Sequence, residues 1–119
     1  MANYHLTSTS EEIRGVVVLH LTCYLNDQTE QGFESLIRDV TINSARLIID
    51  ASELSHISSI GFGTLLAMTI ELRKREGDLR FTQLSPPLKR ALTLAFGRFF
   101  AIYDSLDDGL QSFDVVAAS

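Results

Sequence analysis

Residues 46–81 read RLIIDASELSHISSIGFGTLLAMTIELRKREGDLRF, and this stretch decides how the chain folds. It opens with a run of apolar residues, Leu47 to Ile49, which is typical of a short strand covered on both faces. Residues 51–58 are rich in serine, so we expect a polar loop there and Asp50 at the carboxyl end of the strand. Ligands of open α/β sheets bind at such strand ends.

A long helix is predicted to follow this loop, beginning at Ser59. Its buried face is marked by apolar residues at helical spacing: Leu65, Met68 and Leu72, widened by Leu66 and Ile70. Gly77 is expected to take the left-handed position at the helix end. Because N–H groups of a helix's first turn point at ligands near strand ends, we expect one site made of Asp50, Ser58, Ser59 and Gly61.

The residues before this stretch predict two strands and a helix. An edge strand covers residues 4–10, Glu11 and Glu12 form a turn, and a central strand covers residues 13–21 and extends as far as Tyr24. Asn26 and Asp27 are suited to cap a helix. That helix has one apolar stripe, formed by Phe33, Leu36, Ile37 and Val40.

The residues after it predict two further strands, over residues 79–84 and 99–103, and two helices. Ser85 caps the first helix and Gly97 ends it, and Ser105 caps the second. The element order is therefore β-β-α-β-α-β-α-β-α. It predicts an α/β fold in which helices pack on a mixed four- to five-stranded sheet, centred on residues 16–19 and 47–50 and opening with an antiparallel pair.

The length of 119 residues predicts a single domain over residues 1–119, with a core over about 4–113 and a frayed tail at 114–119. A net charge of −5 and a pI near 5.0 disfavour nucleic-acid binding. The one basic cluster is residues 73–75. No apolar run approaches the ~20 residues of a membrane span. The first residues have neither a basic start nor an apolar run, so we expect no signal peptide there. A single cysteine, Cys23, suits a reducing cytoplasm.

Catalytic and metal-binding patterns are weak. A nucleophile elbow needs glycine two residues before the serine, and His56 and Ile57 precede Ser58 and Ser59 there. The histidines lack metal-ligand spacing with one another or with Cys23. No Gly-Lys-Ser/Thr follows the glycines, so a phosphate-binding loop is not encoded. We therefore expect no enzyme activity, no metal and no cofactor.

The order of elements, together with residues 58–63, which read SSIGFG, resembles the STAS domain and, more narrowly, bacterial anti-sigma factor antagonists. The usual motif of that family is Asp-Ser-x-Gly-Leu-Gly. The resemblance implies that Ser59 is the phosphorylated serine, with Ser58 as second choice. Two positions depart from the family: Ser58 stands where it has Asp, and Asn26 stands where the turn after the second strand also has Asp.

Several roles are open for the residues around Ser59. Ser59 is either a plain helix N-cap or a phosphoacceptor, and Asp50 either accepts backbone N–H bonds or shapes the serine's pocket. Each of Gly61 and Gly63 costs about 1 kcal/mol relative to Ala in a helix. Two reasons could explain why glycine is tolerated at these positions. Another backbone or a kinase active site could approach the helix closely there, or the helix could pack tightly on the sheet. The site-shaping residues are thus predicted to be Asp50, Gly61, Gly63 and Asn26.

The resemblance implies partner switching. The unphosphorylated chain would bind an anti-sigma factor that is also a serine kinase, phosphorylation would end the contact, and a PP2C-type phosphatase would restore it. The partner-binding residues are predicted to be Ser55, His56, Ser58 and Phe62. We expect a cytoplasmic protein that is a monomer or a weak dimer. The alternatives are a non-switching STAS module, as a signalling scaffold or a lipid-transport subunit, and a small enzyme or ligand-binding domain using residues 50–59.

Overall fold

A computed structural model describes the backbone of residues 7–25 and 30–118, and the side chains of residues 8–22 and 32–113. The predicted helix cap at Asn26 and Asp27 lies outside the described residues. The elements within them are β1 (Thr7–Ile13), β2 (Val16–Leu25), α1 (Glu30–Val40), β3 (Arg46–Ile57), α2 (Ser59–Lys74), β4 (Asp78–Thr82), α3 (Pro86–Phe96), β5 (Ala101–Tyr103) and α4 (Leu106–Ala118). This order confirms the predicted one.

The strands form one mixed five-stranded sheet in the order β1-β2-β3-β4-β5. β1 is antiparallel to β2, and every later pair is parallel. The interior places of β2 and β3 confirm the predicted centre of the sheet. Because successive parallel strands are added in one direction through right-handed crossovers, their connecting helices fall on the same face.

The helices cover the two faces of the sheet unequally. On the first face, α1, α2 and α3 bury a large core, to which Phe33, Leu65 and Leu92 contribute fully buried side chains. On the second face, α4 packs Leu110 and Phe113 against a smaller group: Val16, Val18 and Ile48. The site at the start of α2 is therefore supported by the first core.

The turn between β1 and β2 differs from the prediction. Glu11 and Glu12 are not a turn but lie inside β1, opposite Val18 and Val17. Arg14 and Gly15 make the turn instead, with φ of 51° and 81°. Two successive residues with positive φ are typical of the tight hairpin turns that match the twist of the flanking strands.

The loop predicted over residues 51–58 is wrong, because residues 51–57 belong to β3. The strand continues to Ile57 and stays paired with β2. Ala51, Leu54 and Ile57 are buried along it. Their spacing of three, rather than two, reflects register irregularities between β2 and β3, which are typical of β-bulges. Asp50 consequently lies in the middle of the strand and not at its end.

The ends of the helices bring smaller corrections. At the end of α2, Glu76 and not Gly77 takes the left-handed conformation, with φ of 62°. Gly77 is needed for space, because a Cβ there would lie 1.9 Å from the carbonyl oxygen of Ala45. Ile70, predicted to widen the buried face of α2, is 42% exposed. α4 extends to Ala118, into the residues predicted to be a tail.

Candidate functional site

The start of α2 separates the roles of its two serines. Ser58 is the N-cap, with extended backbone (φ −80°, ψ 171°), and its Oγ accepts the N–H of Gly61 at 3.1 Å. Ser59 is the first residue of the helix, and it is exposed. One of the two roles predicted for Ser59 was the helix N-cap, and in the structure Ser58 has that role. The hydroxyl of Ser58 thus stabilises the helix, while the side chain of Ser59 faces solvent.

The two glycines of this turn differ in their surroundings. Gly61 is buried. Gly63 is exposed, and a Cβ at its position would meet nothing within 4 Å. Tight packing on the sheet therefore does not explain Gly63, although a glycine inside a helix costs about 1 kcal/mol relative to Ala.

The other residues predicted to bind a partner lie close to Ser59 along the chain. Ser55 and His56 are exposed, but they belong to the end of β3 and not to a loop. Phe62 is half-buried and packs edge-on against Phe96 of α3, with 5.6 Å between ring centroids. Ile60, beside Ser59, is 50% exposed. The start of α2 therefore presents one apolar side chain and one hydroxyl to solvent.

Asp50, predicted to lie beside these serines, belongs to a different part of the sheet. β3 continues for seven residues beyond it to Ile57, which at ~3.3 Å per residue separates Asp50 from α2 by about 25 Å. The predicted site uniting Asp50 with Ser58 and Ser59 is therefore wrong. The alternation along β2 puts Val17, Leu19 and Leu21 on the first face, so His20, the partner of Asp50, lies on the second.

Asp50 instead joins a cluster across three strands. Its Oδ2 lies 2.5 Å from Nδ1 of His20, and Nε2 of His20 lies 3.0 Å from Oε2 of Glu11. The other carboxylate oxygen of Asp50 accepts the N–H of Ser52 at 3.0 Å. The role as acceptor of a backbone N–H, one of the two readings of Asp50, is therefore the one observed. When both ring nitrogens carry protons, His20 can donate to both carboxylates.

The cluster shifts the protonation of both partners. The hydrogen bond with Glu11 raises the pKa of His20 above 6.5, burial opposes this, and the contact with Asp50 adds to it. Burial by itself would raise the pKa of Asp50, but the hydrogen bond from Ser52 and the contact with His20 outweigh it, so that pKa is lowered. Both shifts favour the ion pair.

Sequence reasoning missed this cluster, because His20 was tested only for metal-ligand spacing. The available signal was its place in a central strand, where a histidine between Leu19 and Leu21 needs a polar partner when partly buried. Among the described residues, no group of three or more His, Cys, Asp or Glu side chains is arranged to hold a metal ion. None of the helices in the described part of the chain is long and apolar enough to cross a bilayer.

Comparison with known proteins defines the class. The STAS domain family matches residues 8–109, which is most of the chain. The chain therefore belongs to the STAS domain family, which confirms both the resemblance and the predicted fold class.

Several of the similar proteins are anti-sigma factor antagonists. BtrV of Bordetella bronchiseptica, a proposed anti-sigma factor antagonist, is 24% identical over 107 residues, covering 88% of this chain and 92% of that protein. An anti-sigma factor antagonist from Mycobacterium paratuberculosis has 26% identity and a TM-score of 0.81, covering 93% of this chain and 96% of that one. The Bacillus cell fate determinant SpoIIAA, solved in its phosphorylated form, has 17% identity and a TM-score of 0.69, covering 90% and 99%.

Proposed function

We propose that this STAS domain is a cytoplasmic anti-sigma factor antagonist that acts by reversible protein contact and has no catalytic activity of its own. In this proposal it binds an anti-sigma factor that is also a serine kinase. Phosphorylation of Ser59 ends the contact, and a PP2C-type phosphatase restores it. The antagonists among its relatives support the partner class.

The observation that carries the proposal is the difference between Ser58 and Ser59. The hydroxyl of Ser58 is occupied by the N–H of Gly61, whereas Ser59 is exposed at the first position of α2. A kinase can reach the second hydroxyl without breaking the helix cap. The open space around Gly63 supports the same reading, because it leaves room for a partner's backbone to approach.

The cap also accounts for the family aspartate that Ser58 replaces. Ser58 occupies the N-cap, and serine and aspartate are both preferred there because either side chain accepts an N–H of the first turn. The replacement therefore keeps the cap and removes one negative charge. We expect that it changes the rate of phosphorylation more than the structure of the site.

Phosphate at Ser59 would act on the partner and not on the fold. It would add about 1.5–2 negative charges at the start of α2, where the free N–H groups and the helix dipole stabilise an anion. The same charge enclosed in an interface without a cation beside it is costly, on the order of 2–5 kcal/mol. Phosphorylation would therefore weaken the complex while leaving the domain folded.

The test is incubation of the chain with its cognate anti-sigma kinase and ATP, followed by site-resolved mass spectrometry and a binding measurement. We expect one phosphate, on Ser59, and loss of it in Ser59→Ala, which still binds the partner. Ser58→Ala is the matched control and keeps the acceptor. Ser59→Glu should weaken binding, and circular dichroism should show that it is folded.

Two results would contradict the proposal. Phosphate on Ser58 alone would move the acceptor by one residue. Phosphate on neither serine, with binding intact, would instead support a constitutive STAS module. Ser58→Asp, which restores the family's acid, should raise the phosphorylation rate in the same assay.

A further inference from the structure

A groove between the carboxyl-terminal halves of α1 and α2 lies away from the start of α2. It has a volume of about 530 Å³ and is lined by side chains from residues 37–42 and 68–75. α2 is one helix of 16 residues, so at ~1.5 Å per residue the groove is about 20 Å from Ser59. It is therefore separate from the proposed phosphoacceptor.

The floor of the groove is apolar and adaptable. Ile37, Met68 and Leu72 are buried in the first core and also line the groove. Ile42 also lines the groove and is 68% exposed, so it adds accessible apolar surface beside the floor. Methionine fits irregular shapes because its side chain is unbranched and flexible. The volume lies within the ~300–1,000 Å³ typical of small-molecule sites.

The rim of the groove is basic, although the chain carries a net charge of −5. Three cations line it, Arg38, Lys74 and Arg75, against one anion, Glu71. Two of the basic residues, Lys74 and Arg75, belong to the one basic cluster that the sequence contains, and the proposed function does not use it.

The three cations have different partners. Arg38 forms two hydrogen bonds with Glu71, at 3.1 and 3.2 Å, and also contacts Glu34 from outside the groove. Arg75 donates to the carbonyls of Thr41, at 2.7 Å, and Ile42, at 3.4 Å, which ties the end of α1 to α2. Arg75 has no ion-pair partner in the part of the chain that the structure describes. Lys74 is exposed and has no ion-pair partner among the described residues. Lys74 is thus the cation most available to a ligand.

We propose that this groove binds a small amphiphilic carboxylate: an apolar chain of medium length lies over Met68 and Leu72 and against Ile42, and its carboxylate meets Lys74 and Arg75. The apolar floor takes the chain, and the basic rim selects an anion over a neutral molecule of the same size. Such binding is independent of the state of Ser59.

Decanoate is a suitable probe, titrated into the ¹⁵N-labelled chain below its micelle-forming concentration. We expect saturable amide shifts confined to residues 37–42 and 68–75. Decanol, which lacks the charge, and acetate, which lacks the chain, should each bind much more weakly. Reversing one exposed charge at the rim should weaken binding about fivefold or more.

Matched variants separate this site from general effects. Lys74→Glu and Ile42→Ser should weaken decanoate binding, and Lys74→Arg should retain it. The controls are Arg90→Glu, an exposed cation on α3, and Ile70→Ser, an exposed isoleucine of α2 outside the groove; both should bind normally. All of these positions are exposed, so the variants are expected to fold.

The proposal fails if decanoate gives no saturable shifts, if the shifts map elsewhere, or if decanol binds as well as decanoate. It also fails if the chain is a dimer that Ile42→Ser dissociates, because a second copy would then cover the groove. Loss of anti-sigma factor binding in Lys74→Glu, without any decanoate binding, would assign the groove to a protein partner. Each of these results leaves the phosphorylation test at Ser59 unaffected.

Discussion

Nδ1 of His20 lies 2.5 Å from Oδ2 of Asp50, across the neighbouring parallel strands β2 and β3. Glu11 approaches the other ring nitrogen from β1, so one imidazole connects three strands. The contact is on the second face of the sheet, away from the core that supports α2. It therefore contributes to the stability of the sheet and not to the proposed phosphorylation site.

This cluster predicts a specific dependence of stability on pH. The folded-state pKa of His20 is raised above 6.5, so its contribution is fully present below pH about 6.5 and is lost as pH rises through the folded-state value. The pKa of Asp50 is lowered from 3.8, so its contribution is present above that pH and is lost as pH falls through the folded-state value. The ion pair of His20 and Asp50 therefore stabilises the fold most at pH values between the two pKa values.

Urea denaturation across this range checks the dependence. We expect the free energy of unfolding to decline as pH rises from about 6.5 through the folded-state pKa of His20, and His20→Asn to flatten that decline. His56→Asn, at an exposed position of β3, is the control. A His20 resonance that titrates below pH 6.5 in the folded protein would contradict the assignment.

Alanine at Ser58 is expected to lower stability and to keep phosphorylation, whereas alanine at Ser59 is expected to keep stability and to abolish phosphorylation. Ser58→Ala removes the bond to the N–H of Gly61 and should cost about 1 kcal/mol of unfolding free energy, as loss of an N-cap does. Ser59→Ala removes an exposed hydroxyl and should change stability by less than about 0.5 kcal/mol. Urea denaturation of both variants at one pH measures the difference. Equal losses would show that the cap is assigned wrongly.

Substitution by alanine is expected to have opposite effects on stability at Gly63 and at Gly77. Gly63→Ala meets open space and should stabilise α2 by roughly 0.5–1 kcal/mol, because alanine is the better helix former. Gly77→Ala would bring a Cβ to 1.9 Å from the carbonyl oxygen of Ala45, so it should be strongly destabilising. Thermal denaturation compares them. If Gly63→Ala also weakens anti-sigma factor binding, the open space is used by the partner.

Truncating Leu65 is expected to leave a cavity in the first core and to lower the free energy of unfolding. It is 1% exposed on the inner face of α2, and Leu65→Ala should cost about 2–5 kcal/mol. Leu94→Ala, at a leucine of α3 that is 80% exposed, should leave the melting temperature nearly unchanged. A Leu65→Ala protein that melts like the wild type would mean that this face of α2 is not packed.

The sequence predicted the regular elements well, because their hydrophobic periodicity is local. Residue spacing indicates the buried stripes of α1 and α2. The Ser85 cap of α3 follows from the residue type before the helix, and the central place of β3 follows from its continuous apolar run. The extent of β3 could not be predicted in this way. Its second half buries every third residue, since the pairing with β2 is irregular there, and that spacing does not resemble the alternation of a strand.

The candidate site was predicted only in part, because the end of β3 affects which residues lie together. Once the end of β3 was placed too early, Asp50 appeared close to Ser59. The division of roles between Ser58 and Ser59 depends on where the helix begins, and a shift of one residue exchanges cap and exposed position. The His20 cluster joins residues of β1, β2 and β3, so a local pattern could indicate that His20 needs a polar partner but could not identify Glu11 and Asp50 as its partners.

The two edges of the sheet bear on self-association. β5 has only three residues, which is too short to template a strand from another molecule. β1 is longer, but it carries Glu11 and Glu12 side by side, so pairing two copies through this edge would bring like charges together. Short and charged edges are the usual protection against edge-to-edge aggregation. We therefore expect that the sheet edges of two molecules do not pair at high protein concentration, and that any association of the chain involves its helices.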